Sequence, residues 1–267
     1  MTLYFLKLGG SLITDKARAQ TAHPAVLARL ADEIAQARAD RPDLRLLIGH
    51  GSGSFGHVEA KKHGTRGGVT TPDQWRGFAE VSAVAARLNR IVTDTLLAGG
   101  VPVISFQPSA SAWCRDGAIE ELSLTPIATA LELDLVPLVY GDVAFDSARG
   151  GTIVSTEDIF RHLARQLRPT RILLAAIEDG VYADWPGGRT VIPEINPGNA
   201  AEYFPAIRDS GAPDVTGGMA TKVGEMLALV SEVPGLEVLI FSGVANGHVF
   251  NALTDEEQPF GTRIANR

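Results

Sequence analysis

The sequence predicts an α/β fold in which a mostly parallel sheet is covered by helices on both faces. Short apolar runs alternate with longer segments whose apolar residues recur at helical spacing. Runs of that kind suit strands buried on both faces, and the alternation suits crossover connections. Glycine-rich turns follow the first two runs and join each to a helix-like segment.

Taken in order, the first strand-like run is Leu3–Leu8, which passes into Lys7-Leu8-Gly9-Gly10-Ser11. A helix is predicted from Pro24 to Ala37, with Val26, Leu27, Leu30 and Ile34 on one face. The run Leu44–Ile48 leads into Gly49-His50-Gly51-Ser52-Gly53-Ser54-Phe55-Gly56-His57. A long helix follows over Asp73–Leu97, with a stripe from Trp75 to Leu96 that would serve as core, dimer contact or pocket wall. Val101–Phe106 is the third strand, and Thr125-Pro126 opens a helix with proline at its favoured first position. Leu135–Tyr140 comes next. Ser155 and Asp158 then have capping-box spacing and start a helix that runs through Leu167. Ile172–Ile177 and Val238–Phe241 are the last strands, separated by a helix over Ala220–Val233. Turn signals at Asp116-Gly117, Arg149-Gly150-Gly151, Asp179-Gly180 and Pro186-Gly187-Gly188 predict antiparallel hairpins on this parallel core. No repeat or linker-like shift interrupts the chain, so residues 1–267 read as a single domain.

Composition narrows the function classes. Apolar residues make up 45% and charged residues 21%, as in ordinary soluble proteins, and the net charge of −7 argues against a general nucleic-acid surface. An anionic ligand would therefore need local positive charge. Cys114 is the single cysteine, so no intrachain disulfide can form. With no basic leader before Leu3 and no run of membrane-spanning length, a cytoplasmic protein without a membrane partner is expected.

The glycine turns point to phosphate chemistry. Backbone N–H groups approach phosphate oxygens where no Cβ intervenes, and helix N-termini favour negative charge. A third such stretch, Thr216-Gly217-Gly218-Met219-Ala220-Thr221-Lys222, adds a lysine in the first turn of a helix, where the helix dipole disfavours it unless an anion binds there. The Walker-type loop, the dinucleotide fingerprint and the protein-kinase motifs are all missing, as is any Cys/His zinc spacing. A G-x-S-x-G hydrolase elbow fails because glycine stands where the serine is needed. His50 reads as a structural hydrogen-bonding residue, His23, His63, His162 and His248 as local or surface residues, and Asp142 as a turn-fixing acid.

Lys7-Leu8-Gly9-Gly10-Ser11, the turn at 49–57, Tyr140-Gly141-Asp142-Val143, Asp179-Gly180-Val181-Tyr182 and Gly217–Lys222 occur in an order that resembles the amino acid kinase superfamily. Ser54-Phe55-Gly56-His57 together with Lys16 is similar to the isopentenyl phosphate kinases within it, and fosfomycin kinases share the histidine. The resemblance implies an αβα sandwich, the amino acid kinase-like fold, with the acceptor on its N-terminal half and ATP on its C-terminal half. It implies Lys7, Lys16, His57 and Lys222 as catalytic residues, and Lys7, Gly9, Gly10, Ser11, Gly53, Asp179, Gly218 and Lys222 around the nucleotide. Ser52, His57, Gly141 and Thr156 would contact the acceptor. The acid that orients the lysines or meets Mg²⁺ would be Glu157 or Asp158, because Ser155-Thr156-Glu157-Asp158 replaces the usual Ser-Gly-Asp. Gly51-Ser52-Gly53 likewise replaces three glycines. The implied activity is ATP- and Mg²⁺-dependent phosphorylation of isopentenyl phosphate to isopentenyl diphosphate, with release of ADP, by a homodimer. A fosfomycin or phosphonate kinase and a non-catalytic nucleotide-binding sensor or storage protein stay open at this point.

Overall fold

The computed structural model describes residues 2–185, 187–208, 218–257 and 259–266, without the side chains of His57, Val58, Lys61, Ala206 and Arg208. In chain order the N-terminal elements are β1 (Thr2–Leu8), α1 (Gly10–Ile13), α2 (Pro24–Asp40), β2 (Leu44–His50), α3 (Gly53–His63), α4 (Pro72–Ala98) and β3 (Val103–Ser105). There follow β4 (Trp113–Arg115), β5 (Ala118–Glu121), α5 (Thr125–Glu132), β6 (Val136–Tyr140), β7 (Asp142–Asp146), β8 (Gly150–Val154) and α6 (Thr156–Leu167). The C-terminal part adds β9 (Arg171–Ala176), β10 (Glu194–Ile195), α7 (Ala200–Arg208), α8 (Gly218–Glu232), β11 (Glu237–Ser242), α9 (His248–Thr254) and β12 (Thr262–Ala265).

An eight-stranded sheet has the order β10-β12-β11-β9-β1-β2-β6-β3. All pairings from β11 to β3 are parallel, and β12 runs antiparallel to β11. The chain builds outward from β1 to one side through β2, and returns to its other side with β9. A topological switch point therefore lies beside β1, where ligands of open α/β sheets bind at the carboxyl ends of the strands.

Strand alternation divides the core into two layers. Tyr4, Leu6 and Leu8 pack with Leu27, Leu30, Leu88, Val92, Val249 and Leu253 of α2, α4 and α9. Phe5 faces the opposite layer, with Ile159, Phe160 and Leu163 of α6 and Val223, Met226 and Val230 of α8. The result is the expected αβα sandwich. Lys7 shares the face of Phe5, which aims it toward α6 and α8.

Local chemistry sets the helix starts. Thr71 and Gln74 form a reciprocal capping box with Pro72 in the first turn of α4, and Ser155 and Asp158 do the same for α6. The Glu33 carboxylate on α2 accepts backbone N–H groups of Gly247, Val249 and Phe250, anchoring the start of α9.

A second sheet, β5-β4-β7-β8, extends beyond the sandwich. One of its hairpins turns at Asp116-Gly117 between β4 and β5 as anticipated, while the β7–β8 hairpin turns just before the expected Arg149-Gly150-Gly151, whose two glycines already belong to β8. Both Asp116 and Gly117 have positive φ, as a tight two-residue hairpin requires. The Asp146 carboxylate accepts N–H groups from Asp116, Gly117, Ala148 and Arg149, tying the two turns together. Partial burial raises its pKa, but these four donors outweigh it and hold the carboxyl below its ordinary value. Phe78 and Val81 of α4 pack on Val143, which brings β7 and β8 over the end of the long helix.

Candidate active site

Lys7 and the two glycine turns come together because β1 and β2 are neighbours ending at the same level, with Lys7 opposite Gly49 and Leu8 opposite His50. The turns interlock backbone to backbone. A Cβ on Gly10 would lie 2.3 Å from the Gly53 nitrogen, and one on Gly51 would lie 2.7 Å from the Gly10 nitrogen. Gly53 itself has φ +47°, beneath which Thr14 donates to Gly10 O at 2.7 Å and accepts from Ser54 N at 2.9 Å. No side chain fits between the loops. Their glycines are required by close approach as well as by any ligand.

The turns form the floor of a cleft of about 610 Å³. At its middle, Lys7 Nζ lies 2.6 Å from Glu157 Oε1, and Lys222 Nζ lies 3.6 Å from the same oxygen. Burial pushes the Glu157 carboxyl up, but Lys7 and then Lys222 outweigh it and bring the group down to about 2. Glu157 is thus ionised at neutral pH and holds two ammonium groups from opposite ends of the chain on one oxygen.

The cleft's two ends differ. Toward α3, α4 and the β7–β8 hairpin, its walls include Gly56, Ala60, Val81, Ala85, Ile153 and Val154. Toward the ends of β9 and α8 they include Ile177, Tyr182, Trp185, Ile207, Met219 and Ile240. The Tyr182 and Trp185 rings stack with centroids 5.9 Å apart, and the Arg189 guanidinium lies 5.8 Å from the Trp185 ring centre. The long stripe on α4 therefore has split duties. Val81 and Ala85, one turn apart, face the cleft, while Leu88, Val92 and Leu96 are core.

Most of the anticipated site residues line this cleft: Lys7, Gly9, Gly10, Ser11, Lys16, Ser52, Gly53, Gly141, Thr156, Glu157, Gly218 and Lys222. The hydroxyl of Thr156 is committed to the His50 carbonyl at 2.6 Å, which leaves the start of α6 facing the cleft. His57 sits on α3, but its side chain is outside the described residues, as are Thr216 and Gly217. Two placements refine the sequence reading. Asp158 is absent from the cleft wall: its carboxylate accepts from the Ser155 backbone and hydroxyl at 2.8 and 2.7 Å and is a helix cap. Asp179 lies in a separate depression of about 340 Å³ with His248 and Phe260, while its neighbour Gly180 lines the main cleft.

His50 is structural. Its buried ring stacks on Tyr140 with centroids 5.5 Å apart and meets Asn89 at 3.3 Å, and burial lowers its pKa to about 4, so it is neutral near pH 7. Asp142 does line the cleft, although as a turn-fixing acid it also accepts N–H groups from Val143 and Ser109. Burial raises its pKa against those hydrogen bonds. Arg66, which lies between glycines with no periodic context, also lines the cleft and was not legible as a site residue.

A Mg²⁺ ion finds few open ligands at the centre. Glu157 Oε1 is engaged by two lysines and Asp158 Oδ2 by the α6 cap, so both acids already have structural partners. These residues fit an ion that arrives on nucleotide phosphates rather than one held by a protein cage. Among the described residues no helix is long and apolar enough to cross a membrane.

Known proteins resemble this chain over most of its length. The chain is 34% identical to the isopentenyl phosphate kinase of Methanothermobacter thermautotrophicus, over 99% of this chain and 100% of that one. It is 40% identical to the isopentenyl phosphate kinase of Haloferax volcanii, over 86% and 89% of the two chains. A crystal structure of an isopentenyl phosphate kinase superposes with a TM-score of 0.83 at 32% identity, covering 98% of this chain and 100% of that one. The model of the amino acid kinase family matches residues 2–242. With this match over most of its length, the chain belongs to the amino acid kinase family.

Proposed function

We propose that the chain is an ATP-dependent kinase that converts isopentenyl phosphate to isopentenyl diphosphate and releases ADP. The observation that carries this reading is one cleft with a dicationic centre, Lys7–Glu157–Lys222, between an aromatic end and an aliphatic end. The relatives with which the chain shares about a third of its residues are isopentenyl phosphate kinases, which supplies the substrate.

In this reading a phosphate oxygen of the acceptor attacks the γ-phosphorus, and the bond from γ-phosphorus to the β-bridging oxygen breaks to give ADP. No general base is needed, because a phosphate monoester is already largely ionised at neutral pH. The protein's task is in-line positioning and stabilisation of charge on the equatorial oxygens. Lys7 and Lys222 meet that charge, and Glu157 keeps both directed at one point. Backbone N–H groups at Gly9, Gly10 and Ser11, with Gly53 and Gly218, cradle the nucleotide phosphates. Lys16 adds mobile positive charge from the loop after α1. The start of α6 at Thr156, with Ser52 and Gly141, lies toward the acceptor, and His57 grips its monoester. Tyr182 and Trp185 offer a flat apolar surface to the base. Mg²⁺, when bound on the nucleotide, neutralises β- and γ-phosphate charge.

We also read the protein as a cytoplasmic homodimer formed by one continuous domain. Ile91 and Leu97 on α4 and Ile104 on the edge strand β3 are exposed apolar side chains that a partner copy would cover.

A phosphonate kinase of the fosfomycin type would use the same centre, but its small polar acceptor would leave Val81, Ala85 and Ile153 without a partner. Comparing kcat/KM for isopentenyl phosphate and fosfomycin decides the acceptor. A preference for isopentenyl phosphate of about 10-fold or more is expected, from roughly 0.8 kcal/mol for each of the two or so extra carbons buried. A preference for fosfomycin overturns the assignment.

A further inference from the structure

The glycine turn after β2 rests on a buried chain of polar groups that leads away from the cleft. His50, the last residue of β2, sets its ring Nδ1 3.1 Å from the Gly51 carbonyl oxygen. Its Nε2 lies 3.3 Å from the side-chain amide of Asn89 on α4, and that amide lies 2.6 Å from the Ser105 hydroxyl at the end of β3. The ring stacks on Tyr140, and the His50 backbone carbonyl accepts from the Thr156 hydroxyl. His50 and Asn89 are both buried.

Burial lowers the pKa of this ring to about 4, so it is neutral at pH 7. A neutral imidazole has one N–H to give. With Asn89 Oδ1 toward the ring, both ring nitrogens would face oxygen, and the unprotonated one would meet a lone pair. The amide turned over fills the same space and satisfies every group. Asn89 Nδ2 then donates to His50 Nε2, the Ser105 hydroxyl donates to Asn89 Oδ1, and Nδ1–H donates to the Gly51 carbonyl. The 2.6 Å separation from Ser105 also suits O–H···O better than N–H···O.

The consequence falls on the turn that faces the ligand. A trans peptide points its C=O and N–H in opposite directions, so a Gly51 carbonyl tied back to the ring turns the Ser52 N–H away from it. Ser52 lines the cleft, and its own carbonyl is spent on the N–H groups of Phe55 and Gly56. Its hydroxyl is tucked over Gly56, where a Cβ would lie 2.6 Å from the oxygen. Among the described residues the Ser52 N–H meets no acceptor.

We propose that His50 is a positioning residue for phosphoryl transfer: held as its Nδ1–H tautomer by Asn89 and Ser105, it fixes the Gly51–Ser52 peptide so that the Ser52 N–H donates to the acceptor phosphate. This inference rests on the kinase reading above and deepens it.

Two readouts on the full chain test it. Nitrogen NMR of isotope-labelled histidine, with the His50 signals assigned through ring contacts with Tyr140, should show a neutral ring carrying its proton on Nδ1 at pH 7. A proton on Nε2, or on both nitrogens, overturns the inference. Steady-state kinetics with ATP and isopentenyl phosphate then separate the two ring positions, because asparagine places an amide NH₂ near the site of Nδ1 and glutamine near that of Nε2. His50→Gln is expected to lower kcat/KM for isopentenyl phosphate about 10- to 100-fold, with KM for ATP within about two-fold. His50→Asn should recover most of that loss. Wild-type kcat/KM in His50→Gln overturns the inference, and so do equal losses in both variants with lowered melting temperatures, which would show a ring that only packs. ADP release by the wild type that ignores isopentenyl phosphate overturns the kinase reading instead, whatever the tautomer of the ring.

Discussion

Replacing Glu157 by glutamine removes one charge and almost no volume at the centre of the cleft. In the wild type, Lys7 and Lys222 are held on Oε1 at 2.6 and 3.6 Å, and the carboxyl is drawn down from 4.5 to about 2. At about 1.4 kcal/mol per pKa unit, that preference for the ionised form in the fold corresponds to roughly 3 kcal/mol. Removing one partner of a largely buried ion pair has a similar cost, about 3–5 kcal/mol. Because the folded-state value is depressed, this stability is fully present above pH 4.5 and is lost as pH falls through about 2. For a chain of 267 residues, Glu157→Gln should therefore lower the melting temperature at pH 7 by about 6–12 °C. It should also flatten the acid limb between pH 4.5 and 2. The two ammonium groups would no longer converge, so kcat should fall about 10- to 100-fold, with a smaller change in KM for ATP. The assays are thermal unfolding from pH 2 to 7 and acceptor-dependent ADP release. A variant with the wild-type melting temperature and the wild-type acid limb would refute the reasoning, since neither lysine would then depend on this carboxylate.

His50 should own a different pH window. Burial lowers its pKa from 6.5 to about 4, so its contribution is present above 6.5 and lost as pH falls through 4; His50→Gln should flatten unfolding curves in that range alone. Gly10→Ala drives a Cβ to within 2.3 Å of the Gly53 nitrogen, and should abolish turnover or soluble expression where Gly224→Ala, whose Cβ would meet only the Phe204 ring at 3.8 Å, does not. Ala85→Phe should fill the aliphatic end and raise the acceptor KM, with KM for ATP unchanged; parallel rises would place the tail elsewhere. His57→Ala should raise KM for the acceptor phosphate far more than KM for ATP, and equal effects would put that ring at the wrong end of the cleft.

Much of the sandwich was readable because its signals are long or chemically specific. Strands such as Leu44–His50 are largely buried on both faces, so Leu44, Leu46, Leu47 and Ile48 marked the run despite Arg45. The start of α5 was marked by Pro126 and that of α6 by the Ser155–Asp158 capping pair, whereas the Thr71–Gln74 box that starts α4 emerges from the structure. The capping pair also decided between two adjacent acids, since an aspartate spent on Ser155 leaves Glu157 to meet the lysines. What escaped notice lacked periodicity. Helix α3 begins with Gly53 and contains Gly56, Lys62 and His63, so no apolar stripe marks it, and it forms because the glycine turns deliver the chain there. The strands β4, β5 and β10 are two to four residues long and draw their order from pairing, helped at β4 and β5 by Asp146, rather than from their own sequences. Helix α9 is seven residues long and relies on Glu33, more than 200 residues away, for its first N–H groups. At the site, Lys7 and Lys222 were legible from their glycine contexts. Their convergence on one carboxylate oxygen was not, because only the register of β1 against β2 and the placement of α6 and α8 create it. Asp179 shows the converse, a motif residue whose neighbour, not itself, reaches the cleft.

The transfer across Lys7 and Lys222 is read most directly by following label from γ-labelled ATP in the presence of isopentenyl phosphate. The expected result is label in the terminal phosphate of isopentenyl diphosphate, one ADP formed per product, and loss of both in Lys7→Ala and Lys222→Ala. Label released only as inorganic phosphate, or ADP formation indifferent to the acceptor, would contradict a kinase whose cleft was built for two phosphates meeting end to end.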